Sequence, residues 1–575
     1  MRERVALYGI AAVVCVVVLG PLVVPGYVLA YDMVFVPRQP LRWDLVAPAD
    51  ALPRAVPLDV VVSLVTQVVP GWLLQRFVLV AVLTVAAVGA GRLVPADRLL
   101  TRLVAAVGYA WTPYVAERLL IGHWALLLGY ATLPWLVAAA IGLRAGRPGS
   151  LARLVLAAAP AALTPTGGLM AFVVVAVLVP GRVAAVRPAS LRPTTVLAIA
   201  AVAALNAPWL AAAAITTAGG RSDPFGVTAF AARAENWSGA FGALAGTGGI
   251  WNAQTTPASR QSALTPLVTA VLLAFAVSGF MVLRRRWAGD GSPLAAGPAV
   301  RLAALALGGF AVAAAGAVPV VADGLAWLVS NVPGGGLLRD GQKFLAPYAL
   351  LLVLSAALGV ERLAARMPAN APAAGRSLLI GLMLLPVVAM PDLALAGAGR
   401  LRPVQYGADW EVVAGRVGER PGTVLSLPLA AYRVYHWNPG SVVIDPLPRY
   451  LPAEVITDDR LLVGDSVVEG ENARVADIRR LMASGRSVAE TGVRWVVVQR
   501  DAGKPVDAAS LAGLRFVYSG PTLTLYENPE AAPERRADRW RRALVTAAGL
   551  LALGVLLASL AASGRRTLVR PRTRP

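Results

Sequence analysis

Residues 1–46 read MRERVALYGIAAVVCVVVLGPLVVPGYVLAYDMVFVPRQPLRWDLV. Two arginines precede an apolar run at 6–24, and a loop of acidic, basic and aromatic residues follows it. A helix needs about 17–25 apolar residues to cross the hydrocarbon layer. The same opening could serve as a secretory leader, with Ala30 as its small residue, but the run is long for a leader and its end carries no A-x-A site. The segment is therefore read as a retained first membrane helix, with Arg2 and Arg4 holding its N-terminus in the cytoplasm.

The rest of the chain agrees. Of its 575 residues 57% are hydrophobic and only 15% are charged, with mean hydropathy +0.64. A soluble domain carries roughly 25% charged residues, so the apolar excess must face lipid. The net charge of +21 is not a nucleic-acid footprint, because the basic residues fall in short clusters between apolar runs. The single cysteine, Cys15, allows no disulfide within the chain and no cysteine metal site. Val14 before it is not the small residue of a lipoprotein cleavage site.

Hydropathy predicts about twelve spans, at 6–24, 72–92, 100–116, 124–143, 152–166, 169–186, 194–215, 263–283, 301–320, 344–362, 377–396 and 543–562. Starting from a cytoplasmic N-terminus, each inside loop is basic. The loops hold Arg92, Arg98 and Arg102; Arg144, Arg147 and Arg153; Arg182, Arg187 and Arg192; Arg284, Arg285, Arg286 and Arg301; and Arg362, Arg366 and Arg376. The tail holds Arg565, Arg566, Arg570, Arg572 and Arg574. One cluster, Arg535, Arg536, Arg539, Arg541 and Arg542, falls outside and suits lipid head groups.

The expected fold class is thus a mainly α polytopic membrane protein with a C-terminal extracytoplasmic α/β domain. Residues 1–398 form the membrane domain, with outer loops at 25–71, 216–262 and 322–343. Residues 399–538 form the outer domain, and 539–575 the last helix and a cytoplasmic tail. Strands are expected near 423–429, 441–445, 494–499, 515–518 and 522–526, and helices near 409–417 and 471–490. The outer segments are much longer than the inner ones, which makes the outer face the working face. The outer domain shows no nucleotide loop, no nucleophile elbow and no metal-binding histidine pair. His436, beside Tyr435 and Trp437, reads as structural or as a contact residue.

The candidates for chemistry lie in the loops. Asp32 follows the first span closely, where apolar surroundings raise a carboxyl's pKa and suit it to act as a general base; Asp44 is the reserve. Arg38, Arg42 and Trp43 lie between them. Residues 57–69 are apolar but too short to span, as an interfacial helix would be. Glu117, Arg118 and His123 stand at a lipid boundary, where ionisable groups are costly unless paired or used. Arg339 and Lys343, in a glycine-rich loop with Asp340, suit a phosphate or pyrophosphate group; anchoring by lipid phosphates is the plain alternative. Trp237, with Arg233, Glu235, Asn236 and Trp251 in a glycine-rich setting, suits sugar stacking.

These features together resemble the GT-C superfamily of membrane glycosyltransferases: an early acid in the first outer loop (Asp32), an interfacial helix after it, the GHW segment at 122–124, and a C-terminal outer α/β domain. The runs GVRWVVVQRD (492–501) and LTLYENP (523–529) are similar to the end of YfhO-like membrane proteins. The high Ala, Val, Arg and Gly content looks like a high-GC actinobacterial source, where such enzymes, arabinofuranosyltransferases and mannosyltransferases among them, build the envelope. The resemblance implies a polyprenyl-phosphate-sugar donor, a glycan or lipid acceptor, membrane lipid as surroundings and inversion at the anomeric carbon. It makes Asp32 the catalytic acid and Arg38, Glu117, Arg118, His123, Trp237, Arg339 and Lys343 the substrate contacts. Many members pair two acids in the first loop. Here Met33 and Val34 follow Asp32, so a divalent metal has no paired acidic motif behind it and the cofactor is unknown. Two other classes fit the layout: a transporter of lipid-linked sugars, against which the lack of an evident repeat and the near absence of acids within spans speak, and a non-catalytic, glycan-binding scaffold.

Overall fold

The computed structural model describes residues 1–180, 192–216, 218–288, 297–368, 370, 372–503, 505–533 and 538–568. Within them eight helices are long and apolar enough to cross a membrane: Arg2–Val23, Gly71–Leu93, Trp124–Arg144, Pro193–Ile215, Thr265–Ala288, Pro298–Ala315, Gly341–Ala364 and Arg539–Gly564. The expected span at 377–396 is a pair, Ala373–Ala389 and Pro391–Ala398, bent by 66°. The basic positions Arg182, Arg187, Arg535, Arg536, Arg570, Arg572 and Arg574 lie outside the described residues.

Among the described residues the other expected spans are not single long helices, and prolines break them. The segment expected as 100–116 is two helices, Leu99–Ala110 and Pro113–Leu120. Pro113 has no N–H to continue the first helix, and Thr112 caps the second by accepting from Val115 N at 3.2 Å. The broken segment still runs from end to end of the bundle. At one end the Arg98 backbone N–H donates to Glu361 (3.4 Å); beyond the other, His123 meets Asp32.

The segments expected as 152–166 and 169–186 hold the short helices Ser150–Leu163 and Pro165–Leu178, and residues 181–186 lie outside the described residues. They form a hairpin. Arg147 N donates to Gly142 O at 2.8 Å near its start, and the Arg144 guanidinium donates to Pro180 O at its finish. Its turn packs beside Gly129, where an added Cβ would stand 3.2 Å from Ala161 Cβ.

The first outer loop carries the helix Leu58–Thr66, which buries Leu58 and Val62. Val61, Leu64 and the following Val68 are exposed, while Ser63 and Thr66 are buried. An apolar face turned away from the protein belongs against lipid, as expected of an interfacial helix.

The C-terminal region carries a five-stranded sheet in the order 515–519, 523–527, 495–499, 424–427, 455–456. Strand Val424–Leu427 runs parallel to both neighbours, and the other pairs are antiparallel. Alternation assigns the two faces. Leu425, Leu427 and Val496 pack with Val475 and Ile478 of helix Ala473–Ala483. Val424, Trp495 and Val497 join Trp410, Val413 and Val417 of helix Ala408–Glu419 in the core shared with the bundle. A strand pair, Tyr27–Val28 with Pro403–Val404, ties this region to the first outer loop. Around it lies an aromatic cluster in which the Tyr406 ring is 5.3 Å from Tyr27 and 5.0 Å from Trp410.

Candidate functional site

The turn between helices Pro113–Leu120 and Trp124–Arg144 sets the site. Gly122 adopts φ +80°, and a Cβ there would lie 2.2 Å from Met33 N and 2.4 Å from Ala30 O. Only glycine lets the turn press so closely on the first outer loop. Asp32 N donates to Ile121 O at 3.2 Å across the contact. His123, next in sequence, puts Nε2 3.0 Å from Asp32 Oδ2.

The histidine's protonation follows from its other neighbour. Arg118 NH1 is 2.8 Å from His123 Nδ1, and a guanidinium only donates. Nδ1 therefore accepts, the proton sits on Nε2, and Nε2–H donates to Asp32. Burial pushes the imidazole pKa down, and the adjacent Arg118 charge adds to this against the pull of Asp32. His123 is neutral and fixed in one tautomer.

Arg118, fully buried, also donates to Asp340 at 3.1 and 3.3 Å and to Gln342. Lys343 Nζ is 3.2 Å from Asp340 Oδ2 and partly exposed. Burial alone would raise the Asp340 carboxyl, but the charges of Arg118 and Lys343 hold it well below the usual carboxylate range.

Asp32 differs from the expectation of a raised pKa. Burial does push it up, yet hydrogen bonds from His123 and Tyr432 and the charge of Lys343 bring it down to about 2. Apolar surroundings were the right environment, but donors within it win.

Beneath this cluster lies a second one. Gln342 Nε2 donates to Glu117 Oε2 at 3.0 Å, and Ile250 N donates to the same oxygen at 3.2 Å. Glu235 accepts from Gly249 N at 2.6 Å and from Arg260 Nε at 2.8 Å. The two carboxylates face each other across Gly248, whose missing Cβ would stand 2.5 Å from Glu235 Oε1 and 2.8 Å from Glu117 Oε1.

Of the residues singled out in the sequence, Asp32, Glu117, Arg118, His123 and Lys343 come together. Arg339 is turned aside. It lies 3.2 Å from Glu471 of the α/β region and 5.2 Å over the Phe230 ring. Arg38 donates to Gln67 O at 3.0 Å, at the end of the interfacial helix. Asp44 is held by Arg42 at 2.8 Å, against the 447–451 segment. Trp237 is exposed and donates to Ala263 O at 3.0 Å. None of these four touches Asp32.

Sequence reasoning missed Tyr432, whose Oη donates to Asp32 Oδ1, and Gln342. Among the described residues no three His, Cys, Asp or Glu side chains are placed to hold a metal ion. A narrow, mostly apolar cleft opens farther down the bundle, walled by Val104, Leu272, Leu352 and Met390 with Arg260 and Thr269 at its polar end. It lies beyond the Glu117–Glu235 layer and does not reach Asp32.

No family model matches the chain, and no curated protein matches it. Solved structures do. The arabinofuranosyltransferase AftD from mycobacteria, determined by cryo-electron microscopy, is similar with TM-score 0.55 and 18% identity over 92% of this chain and 40% of that one. A point mutant of the same enzyme gives TM-score 0.54 and 17% identity over 92% and 42%. The chain thus spans less than half the length of these neighbours, and at such identity the likeness is one of fold.

Proposed function

We propose that the chain is a membrane glycosyltransferase of the GT-C kind, moving a sugar from a polyprenyl-phosphate donor to an envelope glycan or lipid acceptor. The reaction takes place at the end of the bundle where the α/β region stands, which is the extracytoplasmic end; both termini are cytoplasmic. The observation that carries the reading is an anionic carboxylate, Asp32, fixed on both oxygens and sharing one cluster with an accessible ammonium, Lys343. The fold shared with AftD supports it.

The chemistry follows from these groups. Asp32 accepts a hydrogen bond from the acceptor hydroxyl and orients it. A carboxyl with pKa about 2 is too weak a base to ionise a free alcohol. It takes the proton late, as the oxygen bonds to the anomeric carbon and becomes acidic. The bond from that carbon to the phosphate oxygen breaks on the opposite face, and the configuration inverts. Lys343 meets the charge that develops on the departing phosphate. His123 does not exchange protons, because a second proton on Nδ1 would face Arg118. Arg339, engaged by Glu471, holds the loop that carries Lys343.

The test is to purify the protein, look for bound polyprenyl-phosphate lipid by mass spectrometry, and assay transfer from synthetic polyprenyl-phosphate arabinofuranose and mannose. Bound lipid and transfer are expected, with Asp32→Asn lowering transfer by at least about 10²-fold while the protein stays folded. A folded protein that binds no such lipid and transfers neither sugar would favour the non-catalytic scaffold.

A further inference from the structure

We infer that the α/β region is a constituent of the reaction site rather than a cover over it, because its Tyr432 is the positioning residue for the second oxygen of Asp32. The inference rests on the proposed role of Asp32.

Tyr432 is delivered by a two-stranded ribbon, Tyr432–Val434 paired antiparallel with Val442–Ile444, in which Tyr432 stands opposite Ile444. The ribbon is bonded to the backbone beside Asp32. Tyr31 N donates to Val442 O at 2.6 Å, and Ile444 N donates to Tyr31 O at 2.9 Å. Asn438, in the ribbon's turn, donates to Leu29 O at 3.0 Å. The first outer loop is therefore bridged to the ribbon at Tyr31, opposite Val443, and the register that places Tyr31 also places Tyr432 against the next residue, Asp32.

Alternation along the strand does the rest. Arg433 points the other way, into a closed polar knot. It pairs with Asp445 at 2.9 Å, both fully buried, while Ser426 donates to Asp445 at 2.6 Å and Gln499 at 2.9 Å. Ser426 and Gln499 belong to two adjacent inner strands of the sheet. The ribbon is thus bolted to the sheet on one face and presents Tyr432 on the other.

The result is a carboxylate with one donor on each oxygen, His123 Nε2–H on Oδ2 and Tyr432 Oη–H on Oδ1. Two such donors stop rotation about the Cβ–Cγ bond and leave the remaining lone pairs for an acceptor hydroxyl. The charged groups facing Asp32 are Lys343, with Arg118 and Asp340 behind His123, and Arg54 acts on Tyr432. Tyr31, its ring 6.3 Å from that of Tyr432, donates to Gln254 and not to Asp32.

The experiment uses the full-length protein in lipid nanodiscs. A water-soluble carbodiimide with an added amine labels protonated carboxyls, and peptide mass spectrometry reads the fraction of Asp32 labelled between pH 4 and 7. In Tyr432→Phe, labelling of Asp32 at pH 5 is expected to rise about tenfold, the effect of losing one hydrogen bond to the anion. The kcat for transfer is expected to fall about tenfold with KM little changed. An unchanged melting temperature checks that the variant folds, and Tyr432→Leu repeats the test. Equal labelling of wild type and both variants at every pH overturns the inference, as does increased labelling with undiminished transfer. Increased labelling in a protein whose wild type transfers no sugar would separate the two claims: Tyr432 would still hold Asp32, and the transferase reading would fall.

Discussion

His123 shows how much one pair of contacts can decide. Because Arg118 cannot accept a hydrogen bond, the imidazole must, and its single proton is committed to Asp32. The consequence for pH has a definite sign. A carboxyl lowered from its ordinary range to about 2 contributes stability that is fully present above about pH 4, the unfolded value, and is lost as pH falls toward 2. Transfer should therefore show no acid limb from Asp32 between pH 5 and 8. In His123→Phe, Asp32 loses its main donor and Arg118 an acceptor. An acid limb should then appear above pH 4, with transfer at neutral pH down about 10-fold to 100-fold. A variant whose profile stays flat in that range would deny His123 its role. Asp32, Glu117, Arg118, His123 and Lys343 were legible in the sequence because charges at a lipid boundary stand out. Tyr432 was not. It lies 400 residues from Asp32, beside the more conspicuous Tyr435, His436 and Trp437. Arg339 misled for a related reason: its neighbours in sequence point to phosphate, while its partner, Glu471, comes from the distant α/β region.

Between elements, single carboxylates do the fastening. Glu471 is buried and takes Arg54 from the first outer loop, Ser222 from the second (2.8 Å) and Arg339 from the third (3.2 Å). Glu471→Gln keeps the shape but removes the charge both arginines need. Arg54 is half exposed, so the loss is smaller than for a fully buried pair, about 2 kcal/mol. The expected signature is faster amide hydrogen exchange in residues 218–224 and 333–340 with the sheet unaffected; unchanged exchange in both segments would show that the loops are held by other contacts. Gly248→Ala tests the lower layer, since its Cβ would press on both Glu117 and Glu235. It should lower the melting temperature and loosen Gln342, which links that layer to Arg118; a melting temperature equal to wild type would show that the carboxylates can move apart. In the α/β region the strands near 424–427, 442–444, 495–499, 515–519 and 523–527 were legible from alternation and the helices 408–419 and 473–483 from their spacing, while the short strands 432–434 and 455–456 were not. The broken and paired short helices were not, because a hydropathy window registers apolar length and is blind to where Pro113, Pro160 and Pro165 turn the chain.

For the whole molecule, the span count carries a useful regularity. The segments expected at 152–166 and 169–186 hold the two arms of one hairpin, so they enter or leave the count together. The direction of every later crossing is the same whether the hairpin is two spans or one re-entrant loop. The broken segment 99–120 still passes from the end at Glu361 to the end at Asp32. With the bent pair 373–398 taken as one crossing, the proposed placement of both termini on one side is the same for ten spans as for twelve, and it can be tested by thiol labelling. Cys15, the single native cysteine, is buried and directed at Val80 O and Thr84, so Cys15→Ser should give a silent background. On it, Ser262→Cys and Asp465→Cys should react with a membrane-impermeant maleimide in intact cells, and Arg147→Cys and Arg366→Cys only after lysis. Reaction of Arg147→Cys in intact cells would invert the proposed orientation and move Asp32 to the cytoplasmic face. Leu163→Cys, at the hairpin turn beside Gly129, should react in neither condition until detergent is added. If it reacts together with Ser262→Cys, the hairpin is two true spans, and the orientation of Asp32 and of the α/β region is unchanged.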